Sequence, residues 1–110
     1  MIRHVVLARF REDASDDEID AFITAMQRVH VDGMRSISCG RTAALRPGGW
    51  DYALVADFDD EGAYLRYDEA PDHLRVREEL APTLVVEAAR AQLRLEPAGP
   101  SVTPRAPPPG

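Results

Sequence analysis

A single cysteine, Cys39, stands among the 110 residues, so neither an internal disulfide nor a cysteine-based zinc site can form. Runs of basic residues are missing too. The 13 basic residues, all arginines, are dispersed among 19 acidic ones, for a net charge of −6. Such a chain lacks the clustered cations that drive affinity for a phosphate backbone, and nucleic acid is not an expected partner. No window approaches the roughly 20 apolar residues that a membrane-spanning helix needs. Met1-Ile2-Arg3-His4 also lacks a signal-peptide core, and a cytoplasmic location is expected. With 45% apolar and 29% charged residues, the composition is that of one folded globular domain.

Cofactor motifs are equally sparse. The chain contains no GxGxxG, no GxxxxGK[ST] and no GxSxG, and Gly48-Gly49 reads as a turn. Its three histidines, His4, His30 and His73, fall at no metal-ligand spacing. Asp59-Asp60-Glu61 reads as a solvated helix cap rather than a cation site. No metal and no organic cofactor is therefore expected. Cys39, in an apolar alternation, is expected to be a small buried hydrophobe.

What is present is strong hydrophobic patterning. Residues 2–10 place Ile2, His4, Val6, Ala8 and Phe10 on one face of a strand and Arg3, Val5, Leu7 and Arg9 on the other. Ser15-Asp16-Asp17-Glu18 forms a capping box, after which Ile19, Phe22, Ile23, Met26 and Val29 make one helical stripe over roughly 16–30, with His30 placed to meet the helix dipole. Ile37 and Cys39 mark a second strand over 34–41, and Tyr52, Leu54, Ala56 and Phe58 a third over 51–58. A helix capped by Asp59 and Asp60 carries Ala63, Tyr64 and Tyr67 and is expected to break near Ala70, because Pro71 forces its predecessor into extended geometry. A further helix over 72–80 and a last strand over 85–95 complete the order. Residues 97–110 hold six of the nine prolines and a single charge, so residues 1–96 are the expected folded domain and 97–110 a Pro-rich tail.

Strand, helix, strand, strand, helix, strand is the ferredoxin-like βαββαβ order: a four-stranded antiparallel sheet with helices on one face. The second face of the first strand has Val5 and Leu7 in its middle and arginines near its ends, so it too needs cover. A homodimer packing sheet against sheet would supply it.

Two places carry candidate chemistry. His4 interrupts an apolar face, and a buried imidazole must find a partner. The segment from Tyr67 to His73 combines a phenol, a helix break and an imidazole. Imidazole can take a proton from a carbon acid near neutrality, and a phenol can donate to the oxyanion that forms. Tyr52, Tyr64 and Trp50 could line an aromatic pocket, although large aromatics in a small domain are usually packing.

The opening Met1 to Leu7, the helix from Ser15, the strand Tyr52 to Phe58, and the segment Tyr67 to His73 followed by Ala81-Pro82 together resemble the stress-responsive dimeric α+β barrel family, Dabb. The resemblance implies a homodimer whose sheets face each other, and relatedness to polyketide cyclases similar to olivetolic acid cyclase, which catalyse an aldol cyclisation without metal or organic cofactor. In those enzymes the chemistry lies in a Y-x-x-H-P-x-H motif, matched here by Tyr67, Pro71 and His73, with His4 matching a first-strand pocket histidine. Ala70 and Tyr52 stand where the cyclases carry histidines. The resemblance thus implies His73 as general base, Tyr67 as oxyanion donor, His4 and Tyr52 as substrate-binding residues, and a small polyketide-like or aromatic carbonyl compound as substrate. A non-catalytic dimer that binds a small hydrophobic ligand, or a cofactor-free monooxygenase-like relative, is the alternative.

Overall fold

The computed structural model describes residues 1–95; the expected tail, 97–110, lies outside the described residues. The elements are β1 (Ile2–Phe10), α1 (Asp16–Gln27), β2 (Met34–Arg41), β3 (Tyr52–Phe58), α2 (Glu61–Glu69), α3 (Pro71–Arg75), a π-helical turn (Val76–Leu80), α4 (Ala81–Leu84) and β4 (Val85–Arg94). The four strands form one antiparallel sheet in the order β2-β3-β1-β4, the ferredoxin-like arrangement.

Strict alternation puts Ile2, His4, Ala8 and Phe10 of β1 and Tyr52, Leu54, Ala56 and Phe58 of β3 on the covered face, all buried. Helix α1 lays Ile19, Phe22 and Met26 across them. Its start is held by the Ser15–Glu18 capping box, with Glu18 N–H donating to Ser15 Oγ at 3.1 Å. The helix ends at Gln27, earlier than the pattern implied. The Arg28 and Val29 amides bond back to the carbonyls of Ala25 and Met26, a tightened last turn, so Val29 is buried from the turn that follows. His30 is exposed and lies beyond the helix, where the helix dipole has no claim on it.

After α1 the chain reverses at Gly33, whose φ of +87° L side chains rarely adopt. A Cβ there would lie 2.6 Å from the Ala63 Cβ of α2. Gly33→Ala is therefore expected to cost about 2–4 kcal/mol from combined backbone strain and overpacking; an urea-denaturation midpoint within error of wild type would contradict the close approach.

The second helical region departs most from a plain helix. Ala70, with φ −61° and ψ 136°, breaks it before Pro71 as expected. Further on, Pro82 has no N–H to give and its ring would crowd the carbonyl four residues back. The preceding turn widens, so that the Ala81 N–H reaches the Val76 carbonyl five residues away. Helix α4 then hands directly to β4.

On the opposite face, register aligns Val5 with Val55 and Ala91, and Leu7 with Ala53 and Ala89. The resulting apolar band is bounded by ion pairs, Arg3 with Asp57 at 2.8 Å and Arg9 with Glu87 at 3.2 Å. No element of the described chain covers it. Among the described residues no helix is long and apolar enough to cross a membrane.

Candidate active site

His4, Tyr52, Tyr67 and His73, chosen from sequence, line one cavity of about 90 Å³ between the sheet and the helices. Val6, Leu54, Phe22, Met26 and Val76 supply its apolar wall, and Asp68, Arg77 and Arg90 its polar rim. The helix break makes the arrangement possible. Tyr67 points inward from the last turn of α2, and the turn at Ala70 returns the chain so that the His73 ring sits 4.5 Å from the Tyr67 ring. The carbonyl of Asp68, near the C-terminus of α2 where carbonyls run out of helical partners, accepts from His73 Nδ1 at 3.1 Å. With its proton on Nδ1, neutral His73 keeps a bare lone pair on Nε2.

His4 is set the other way. Gln92 Nε2, directly across the β1–β4 pair, donates to His4 Nδ1 at 2.9 Å, so the His4 proton resides on Nε2. The His4 ring lies 5.9 Å from Tyr67 and 5.0 Å from Tyr64. One imidazole thus presents a bare Nε2 lone pair and the other an Nε2–H, each fixed by the partner of its Nδ1.

Burial governs the titration of these groups. It is the largest influence on His4, assisted by the positive charges of His73 and Arg90, and brings its pKa down to about 4. His73 is lowered mainly by burial, against the Asp68 carbonyl bond that favours its charged form. Both rings are therefore neutral at pH 7. The unfolded chain binds a proton at His4 near pH 6.5, whereas the folded chain resists until about pH 4. The unfolded state holds more protons in that window, so stability is complete above pH 6.5 and falls with acidification toward pH 4, by an amount on the order of 3 kcal/mol. Denaturant midpoints measured across pH 4–7 should show this slope in wild type and a shallower one in His4→Gln; parallel slopes would refute the assignment.

Tyr52 and Tyr67 are each 1% exposed, and neither hydroxyl has a hydrogen-bond partner among the described residues. Burial pushes both phenol pKa values well above the ordinary tyrosine range, so both remain O–H donors. An orphan buried hydroxyl costs roughly 1–3 kcal/mol. Two of them lining one cavity form a pair of donors awaiting an acceptor. Cys39, beside Tyr52, directs its sulfur toward the Ile23 carbonyl at 3.9 Å, and burial raises its thiol pKa; it is half-buried rather than fully buried as expected.

Sequence reasoning missed part of the site. Tyr64, considered as an aromatic pocket residue, does line the cavity, but Asp68 was visible only as a helix residue, and Arg77 reaches the rim through the widened turn. Arg90 comes from the exposed edge strand, and only its register opposite Val6 reveals which face it occupies. Trp50 lies elsewhere, under the Arg9 guanidinium at 4.3 Å. It borders a broad, open depression of about 690 Å³ beneath the β2–β3 loop, which none of the four predicted site residues lines. Among the described residues, no three His, Cys, Asp or Glu side chains are grouped to hold a metal ion.

Residues 2–88 fit the model of the Stress responsive A/B Barrel Domain. The chain belongs to the Dabb family. Among solved structures, it is similar to a dimeric ferredoxin-like protein of unknown function from Thermobifida fusca, at 28% identity and TM-score 0.78 over 86% of this chain and 90% of that one. A Dabb family protein with a ferredoxin-like fold from Mesorhizobium loti aligns at 23% identity and TM-score 0.68, over 89% and 97% of the two chains. A hydroxynitrile lyase from Passiflora edulis aligns at 20% identity and TM-score 0.72, over 90% and 96%. No curated protein matches the sequence. The Dabb fold therefore occurs both in an enzyme and in proteins without an assigned reaction.

Proposed function

We propose that this Dabb protein is a cytoplasmic homodimer and a cofactor-independent, cyclase- or lyase-type enzyme that removes a proton alpha to a carbonyl of a polyketide-like or aromatic small molecule. The observation that carries the proposal is the pairing of a neutral His73, its Nε2 unprotonated, with the unpartnered hydroxyl of Tyr67 on one cavity wall. His73 Nε2 takes the α-proton, and the C–H electron pair moves into the enolate. Tyr67 donates its O–H to the enolate oxygen, and His4 Nε2–H and the Tyr52 hydroxyl hold the substrate's carbonyl end. The enolate then attacks a second carbonyl carbon of the same molecule, and the proton held by His73 is available to the new alkoxide.

The resemblance to olivetolic acid cyclase-like enzymes supports this reading through Tyr67, Pro71, His73 and His4. Ala70 and Tyr52 replace cyclase histidines, so the pocket keeps one imidazole base and gains a phenol. A cavity of about 90 Å³ accepts only the reacting end of such a compound, with the remainder at the mouth. The hydroxynitrile lyase relative supports the fold as a host for lyases. The open apolar band on the sheet supports the homodimer, as do relatives described as dimeric. The single, half-buried thiol accords with a reducing compartment.

The direct test is hydrogen–deuterium exchange at the α-carbon of the neutral ketone methyl 4-oxopentanoate, followed by NMR. Catalysed exchange above the buffer rate supports the enzyme. Binding without exchange favours the non-catalytic ligand-binding dimer instead.

A further inference from the structure

The rim of the cavity carries two cations and one anion. Arg77 is engaged with Asp68, its Nη1 3.3 Å from the carboxylate and its Nη2 3.4 Å from the backbone carbonyl. Arg90 has no ion-pair or hydrogen-bond partner among the described residues, although arginines 3, 9, 11, 35, 41, 77 and 94 all have carboxylate partners. Strand register fixes its place. Arg90 faces Val6, one inward position along from the Gln92–His4 pair, and lines the cavity with His4, Tyr64 and His73. Both histidines are neutral, so Arg77, Arg90 and Asp68 leave a net formal charge of +1 at the mouth.

We infer that Arg90 is a specificity-determining residue, and that the substrate carries a carboxylate which the Arg90 guanidinium holds at the mouth while its carbonyl enters the cavity. This inference rests on the proton-abstraction reading of the same site and adds the substrate class. The interior offers only neutral groups, and an ionised carboxylate would lose too much hydration to enter it. The mouth opens to water and offers a planar fork of donors with no competing acceptor among the described residues. A carboxylate suits that fork. A phosphate would bring a second charge close to the Asp68 carboxylate, which opposes it. Anchoring an existing charge outside leaves the two phenol hydroxyls free for the charge that develops during the reaction.

The test uses the whole protein at pH 7 and three probes: 4-oxopentanoate, its methyl ester and inorganic phosphate. Binding is read from the imidazole proton resonances of His4 and His73, with exposed His30 as internal control. The acid should shift His4 and His73 without His30 and bind roughly fivefold or more tightly than the ester. In Arg90→Gln that preference should vanish while ester affinity stays unchanged, and Arg90→Lys should retain part of it. Equal binding of acid and ester to wild type, a preference that survives Arg90→Gln, phosphate binding as tightly as the acid, or an acid that moves all three histidines alike would each overturn the inference. Deuterium exchange separates the two claims: an ester that exchanges as fast as the acid sinks the carboxylate and leaves the base intact. An Arg90-dependent acid preference without any exchange sinks the base and leaves the carboxylate site standing.

Discussion

His73→Ala is expected to slow α-proton exchange by about 10²–10⁴-fold, the usual contribution of a positioned general base. The effect should fall on kcat rather than on ligand affinity, because the imidazole touches the reacting proton and the rest of the cavity wall stays in place. Tyr67→Phe is the more discriminating companion. It removes the oxyanion donor and should cost about 10²–10³-fold in rate. It also removes a buried hydroxyl that has no partner among the described residues, so thermal or urea denaturation should show a protein as stable as wild type or more stable, by about 1 kcal/mol. A purely structural tyrosine would give the reverse: unchanged exchange and lower stability. If both variants turn over a genuine substrate at the wild-type rate, the assignment of base and donor fails. The pH profile carries an independent check. With the His73 pKa lowered by burial, exchange should hold its plateau from above neutrality down to below pH 6.5, then decline on the acid side as the base is protonated.

Why these residues were legible before the fold was known, and others were not, follows from the range over which each is placed. His4 and Tyr52 sit on strands whose alternation directs every second side chain to one face, so their inward orientation is a local property of β1 and β3. Tyr67 and His73 are brought together by a proline-enforced break within seven residues, also local. The Ser15 cap and the succession of strands and helices along the chain were readable for the same reason. The π-helical turn depends on whether the chain widens or kinks before Pro82, which the sequence leaves open, and the widening carries Arg77 to the rim. Arg90 was still less accessible: β4 alternates small and polar residues, so its faces are distinguished only by register against β1. The end of α1 was placed three residues late because Val29 continues the apolar stripe while belonging to the next turn. Short-range pattern therefore brought the four candidate residues to one cavity, whereas the charges at its mouth came from long-range pairing.

The exposed sheet face gives the other large effect. Val55 lies at its middle, opposite Val5 and beside Ser38, and is 37% exposed. In a two-fold dimer packed sheet against sheet, one substitution enters the interface twice. Val55→Asp would place two unpaired carboxylates in an apolar layer, each opposed by a desolvation penalty of several kcal/mol, and should weaken association by more than about 10³-fold. Sedimentation velocity at micromolar concentration should then show a monomer where wild type shows a dimer. The substitution leaves the inward-facing core untouched, so far-ultraviolet circular dichroism should be preserved. The cavity belongs to one protomer's own residues, and ligand binding should persist in the monomer, reduced only as far as the exposed sheet loosens the β1–β4 pairing that holds Gln92 against His4. A Val55→Asp protein that still sediments as a dimer would move the interface off this face. A folded monomer that retains ligand binding would show that the sheet face assembles the barrel while the chemistry remains within each subunit.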